Sequence, residues 1–99
     1  MTSSELRIKV LLCLQSALLG EITPNIRGIT CGWNNSSITI HCYFQDEISE
    51  QEAESMECIA TEVIAHFPDL KISIESKRLD LPESLNLYTL SAWVYRRKE

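Results

Sequence analysis

Gly28-Ile29-Thr30-Cys31-Gly32-Trp33, Asn34-Asn35-Ser36-Ser37, Ile38-Thr39-Ile40-His41-Cys42-Tyr43-Phe44: this stretch decides the fold. Ile29, Cys31 and Trp33 alternate with Gly28, Thr30 and Gly32. Ile38, Ile40, Cys42 and Phe44 alternate with Thr39, His41, Tyr43 and Gln45. Successive side chains on a strand point to opposite faces, so each run has one apolar face. Two such runs around a short Asn/Ser turn read as a β-hairpin.

Helical patterns flank the hairpin. Upstream, Thr2-x-x-Glu5 reads as a capping box, and Leu6, Val10, Cys13, Leu14 and Ala17 follow at helical spacing up to Gly20. A second apolar line, Ile8, Leu12 and Leu19, runs down the opposite side of this helix. A helix apolar on both sides is either sandwiched or packed on a partner, so these three residues are candidates for a homodimer contact. Downstream, Ser49-x-x-Glu52 is a second capping box, and Ala53, Met56, Ala60, Val63, Ile64 and Phe67 form the expected buried stripe of a helix closed by Pro68. Leu70, Ile72 and Ile74 alternate with Lys71, Ser73 and Glu75 as a third strand. After a loop over residues 81–87, Leu90, Ala92 and Val94 alternate with Ser91, Trp93 and Tyr95 as a fourth. Pro24 and Asn25 form a turn before the first strand. The order helix-strand-strand-helix-strand-strand predicts an α+β two-layer sandwich, with two helices on one face of a four-stranded, mainly antiparallel sheet.

With 99 residues, 44% apolar and 23% charged, the chain fits a single domain over residues 1–99 with one modest core. Charge is its most uneven property. Residues 28–70 contain no Lys or Arg but hold Asp46, Glu47, Glu50, Glu52, Glu54, Glu57, Glu62 and Asp69. That window carries −8 and the remainder +3, within a net charge of −5. Surface helices usually mix signs because opposite charges at i, i+4 stabilise them. Omitting every base forgoes that help, so the window reads as a negative surface for a basic partner. Glu50, Glu54 and Glu57 fall on one flank of the second helix, with Asp46 and Glu47 in the loop before it. These five are the candidate electrostatic contacts, with Trp33 or Tyr43 as candidate aromatic anchors.

Catalytic and metal chemistry find little support. His41 and Cys42 are strand neighbours on opposite faces and cannot form a nucleophile–base pair. Cys31 and Cys42 fall on the apolar faces of the hairpin, and Cys58 lies among carboxylates that make it a poor nucleophile. The four cysteines contain no C-x-x-C pair, and the three glycines form no phosphate loop. No enzyme activity, cofactor or metal is expected. Arg96-Arg97-Lys98 supplies too few phosphate contacts to offset the acidic body, so nucleic acid is not an expected partner.

Arg7 and Lys9 precede an apolar run, but Gln15 and Ser16 interrupt it. No small-x-small cleavage site follows, and the run is too short to span a bilayer. The expectation is a cytoplasmic protein with reduced thiols and no membrane partner.

Four stretches carry a family likeness: Ser4-Glu5-Leu6-Arg7-Ile8-Lys9-Val10-Leu11; Ala17-Leu18-Leu19-Gly20 with Pro24-Asn25-Ile26-Arg27 after it; the run Glu57-Cys58-Ile59-Ala60-Thr61-Glu62-Val63-Ile64-Ala65-His66-Phe67; and Trp93-Val94-Tyr95-Arg96-Arg97. Across nearly the whole chain they resemble small acidic bacterial immunity proteins of contact-dependent growth inhibition and related polymorphic toxin systems. The resemblance implies a non-catalytic inhibitor of a cognate toxin domain, often a nuclease with a basic, phosphate-holding cleft. The alternative reading is a dimeric adaptor or secretion-chaperone-like protein using Ile8, Leu12 and Leu19.

Overall fold

The computed structural model describes residues 2–99. Along the chain run α1 (Ser3–Ala17), β1 (Ile26–Trp33), β2 (Ser37–Phe44), α2 (Glu50–His66), β3 (Lys71–Arg78) and β4 (Ala92–Arg96), with a 3-10 turn over Leu85–Tyr88 before the last strand. The fold is α+β with the predicted order of elements, on an open four-stranded sheet in the order β3-β2-β1-β4.

The hairpin forms as its alternation requires. Trp33 pairs with Ile38, Cys31 with Ile40 and Ile29 with Cys42. Asn34 builds the turn: its Oδ1 accepts the backbone N–H groups of Ser36 and Ser37 at 2.8 and 2.9 Å. β2 continues through α2 into β3, which lies parallel to it, with Ile38 beside Ile72 and Ile40 beside Ile74. A parallel pair needs a long crossover, and α2 is that crossover. β4 pairs antiparallel to β1 at the other edge. The sheet is therefore mixed, antiparallel in two of its three pairings.

Leu6, Val10, Cys13 and Leu14 of α1 and Met56, Ile59 and Val63 of α2 share one core with Ile26, Ile29, Cys31, Ile38, Ile40 and Phe44. Full burial of each large aliphatic side chain favours the folded state by about 1.5–3 kcal/mol. Ser49 and Glu52 make the full capping box of α2. At α1 the Thr2 hydroxyl accepts the Glu5 N–H but donates to the Glu5 carboxylate, so the reciprocal backbone bond is missing. α1 ends at Ala17, and Gly20 takes a positive φ of 79° in the turn beyond it.

Three local expectations are corrected. The buried stripe of α2 is Glu52, Met56, Ile59 and Val63, closed by Phe67. Ala53 and Ile64 are exposed and Ala60 is half-buried. The apolar positions of α2 form two adjacent tracks, and the larger Met56, Ile59 and Val63 took the sheet side. β3 runs on past Glu75 to Arg78. In β4, Trp93 pairs with Thr30 but Tyr95 pairs with Ile29, leaving Val94 as a bulge. The extra residue breaks the alternation, so Val94 and Tyr95 both pack against the core while Trp93 lies on the other face.

β3 and β4 run in the same direction at opposite edges, so residues 79–91 cross the sheet between them. That crossover lies on the face away from the helices. Leu85 is buried there against Gly28, and Tyr88 packs on Tyr43 with ring centroids 5.3 Å apart. Gly28 is the close approach that permits this. A Cβ there would stand 2.9 Å from Trp93 Cζ3 and 3.2 Å from Leu85 Cδ1.

Candidate functional site

α2 presents four of its five acids on the side away from the sheet. Glu50, Glu54, Glu57 and Glu62 are exposed, and Glu54, Glu57, Cys58, Thr61 and Glu62 line a shallow depression on that flank. Among the described residues, no ion pair uses any acid of residues 28–70. Thr61 and His66 bond to the backbone carbonyls of Glu57 and Glu62 rather than to their carboxylates. The negative charge on this flank is therefore uncompensated.

Glu52 belongs to the window but not to this surface. It is buried, accepting bonds from the Thr23 hydroxyl at 2.6 Å, the Asn25 amide at 3.2 Å and the Ser49 N–H at 3.1 Å. Burial opposes its ionisation, but those bonds outweigh it and hold the carboxyl below its ordinary pKa. The start of α2 is thereby tied to the turn before β1.

Asp46 and Glu47 are exposed in the loop between β2 and α2. Asp46 takes a positive φ of 61°, and its N–H donates to Asp80 Oδ1 at 2.8 Å. Arg78, held by Asp80 at 2.9 Å, lies close enough that Asp46 and Glu47 both favour its charged form. This end of the acidic strip is partly balanced by a base, whereas the α2 flank is not.

The candidate aromatic anchors are both packed. Tyr43 is 2% exposed, covered by Tyr88 and by Trp93, whose ring centroid lies 6.3 Å away. Trp33 is half-buried against the core, with the Arg7 guanidinium 5.6 Å from its ring centroid. Tyr43 offers a partner almost no surface. The apolar side chains that do reach solvent are elsewhere: Leu81, Leu87 and Tyr88 on the crossover, Ile8 (58%), Leu12 (61%) and Leu19 (77%) on and after α1, and Ile64 on α2.

The polar residue that pattern reading missed is Arg27. It is 1% exposed, at the bulge of β1, and every donor it uses is placed. Nη1 donates to the Leu79 carbonyl at 2.6 Å and Nη2 to the Glu83 carbonyl at 2.8 Å. Nε and Nη2 grip the Glu99 carboxylate at 2.7 and 2.9 Å. That grip, reinforced by Arg97, pulls the Glu99 pKa down to about 2. Arginine is rarely this buried, and no local pattern marks it, because its partners lie 52 to 72 positions away.

The groups with reactive potential are quiet. Burial pushes the Cys31 thiol up to about 11 and the Cys42 thiol up to about 12. Burial and nearby Lys77 lower the His41 pKa, against the pull of Glu75 at 3.5 Å, and favour the neutral ring. No group of three or more His, Cys, Asp or Glu side chains among the described residues could hold a metal ion. No helix among them is long and apolar enough to cross a membrane.

Comparison with known proteins adds one finding. A family model described as MafI2 immunity protein matches residues 7–99. No curated protein matches the chain.

Proposed function

The chain belongs to the MafI2 immunity protein family, and from that premise we propose that it neutralises a basic toxin domain through the acidic flank of α2. The resemblance read from the sequence was to immunity proteins of polymorphic toxin systems, and the family match bears it out. In this reading the toxin is a nuclease that holds nucleic acid in a basic cleft. Glu50, Glu54 and Glu57, continued by Asp46 and Glu47, face that cleft or its rim. Trp33 contributes its exposed edge. The protein acts by occupying a surface and catalyses nothing. The meeting takes place in the cytoplasm, as one domain binding another.

The observation that carries this reading is the uncompensated charge. Five acids lie along a strip in which only the Asp46–Glu47 end has a base beside it. Complementary charge speeds encounter and fixes register, while apolar anchors supply most of the affinity. The test is protection. Cells expressing the cognate toxin domain should survive with the wild-type protein. They should lose that protection with Glu50→Lys, Glu54→Lys and Glu57→Lys combined. Full protection by the triple variant removes the α2 flank from the site.

A second reading is a homodimer through Ile8, Leu12 and Leu19. It is favoured by the exposure of Ile8 and Leu12 on one side of α1 and of Leu19 in the turn just beyond it.

A further inference from the structure

We propose that the groove between α1 and the end of α2 is the apolar half of the toxin interface, receiving an apolar side chain that the toxin domain carries among its basic residues, with Leu12 at the rim as the main contact. This rests on the toxin-binding reading above and deepens it, because it names what a basic surface must also present.

The groove is built from both helices. Lys9, Leu12, Cys13 and Ser16 of α1 line it on one side and His66 and Phe67, at the end of α2, on the other, around a space of about 410 Å³. Cys13 and Phe67 are each 7% exposed and form its floor, while Leu12 stands open at the rim. Its polar groups do not close it. The His66 ring is bonded to the Glu62 carbonyl within α2, and among the described residues Lys9 makes no ion pair. Lys9 is the one base on the wall, and its four-carbon stem lies along apolar surface while the ammonium stays in water. A concave apolar site of this kind takes a side chain and removes the floor and the Leu12 rim from water together.

Glu62 points to the toxin as the occupant. It lines the acidic depression on α2 with Glu54 and Glu57. Its charge also reaches Cys13 in the groove, where burial first and Glu62 second raise the thiol pKa. Groove and acidic flank therefore share a wall. The exposed charges of the two helices are Glu5, Glu50, Glu54, Glu57 and Glu62 against Arg7 and Lys9, five acids to two bases. A second copy docking through this layer would bring two negative surfaces together. A basic domain is drawn in by the same charge that opposes the second copy, and its apolar group then seats beside the acids that attracted it.

The cognate toxin domain is the probe, with association and dissociation rates measured by surface plasmon resonance. Leu12→Ala should raise the dissociation rate about tenfold or more, leaving the association rate and its salt dependence unchanged. Ser16→Trp fills the groove and should raise the dissociation rate at least as much. Both positions are exposed, so helix content and thermal midpoint should match wild type in both variants. Lys9→Gln removes the one base on the wall and should speed association at low salt.

A dissociation rate within twofold of wild type for either groove variant overturns the proposal. So does a wild-type dimer that Leu12→Ala weakens while toxin binding is unaffected. Slower association with Lys9→Gln overturns it too, because the group entering the groove would then be flanked by acids. If the groove variants change nothing but the triple charge reversal slows association, the groove falls and the acidic reading stands. If the reverse holds, the groove stands and the steering by α2 falls. No binding by the wild-type protein overturns both.

Discussion

Glu99 closes on Arg27 with a two-point grip, Oε2 on Nε at 2.7 Å and Oε1 on Nη2 at 2.9 Å, although 72 positions separate the two residues. The pair joins the end of the chain to β1 and, through Arg27, to the crossover. Removing one partner of such a pair strands the other. Glu99→Gln keeps the shape and one acceptor, so it should cost about 1–3 kcal/mol. Arg27→Met leaves the carbonyls of Leu79 and Glu83 without their donor and the Glu99 carboxylate with Arg97 alone, and should cost about 3–5 kcal/mol. Urea unfolding of the two variants measures both, and equal stability to wild type would show the grip to be incidental.

The same pair sets an acid sensitivity. Glu99 titrates near its ordinary 4.5 when unfolded and at about 2 when folded. A carboxylate depressed by folding contributes its full stabilisation above the unfolded value and loses it as pH falls through the folded one. Stability should therefore decline as pH falls from about 4.5 towards 2. Glu99→Gln should show a shallower decline over that range when urea midpoints are compared. Arg97, which also holds Glu99, stays charged throughout and does not reverse the sign.

Gly28→Ala tests how the crossover is seated. The added methyl would stand 2.9 Å from the Trp93 ring and 3.2 Å from Leu85, so ring or loop has to move. Alanine is the better strand residue by about 0.5–1 kcal/mol, but overpacking of this kind costs about 1–3 kcal/mol and wins. The expected result is a net loss of stability with a changed near-ultraviolet signal from Trp93. A neutral substitution would mean that the crossover sits more loosely than these contacts require.

Much of the fold was legible because it is local. The hairpin announces itself by alternation and an Asn/Ser turn, and α2 by its capping box. Strand order was not legible, since the pairing of β2 with β3 depends on what α2 can bridge and not on any pattern within either strand. The α2 stripe was misphased because Ala53, Ala60 and Ile64 make a second apolar track beside Met56, Ile59 and Val63. The β4 bulge at Val94 is invisible to alternation and reversed the side assigned to Tyr95. At the candidate site, the acidic flank could be read as charge along a helix, but the burial of Glu52 could not, because Thr23 and Asn25 are distant in sequence. Tyr43 looked available because its strand neighbours place it on the outer face. What covers it, Tyr88, comes from the crossover. Leu81 and Leu87 belong to no periodic pattern, and the one hint they leave is that leucine is unusual in a loop flanked by Pro82 and Asn86.

The dimer reading makes its own prediction. If the apolar line of α1 is a contact between copies, light scattering should show a dimer at micromolar concentration. Ile8→Glu with Leu12→Glu should convert it to a monomer without loss of helix content. A wild-type monomer at every concentration removes that reading.

The central claim is that the unpaired acids of α2 steer a basic toxin domain. Its most direct test is the association rate of the cognate toxin domain as a function of ionic strength. The wild-type rate should fall steeply as salt rises, because exposed charges are screened over about 10 Å at 0.1 M. With Glu50→Lys, Glu54→Lys and Glu57→Lys combined, the rate at low salt should drop at least about tenfold and the slope should flatten. A triple variant that associates at the wild-type rate, with the wild-type salt slope, would contradict the account.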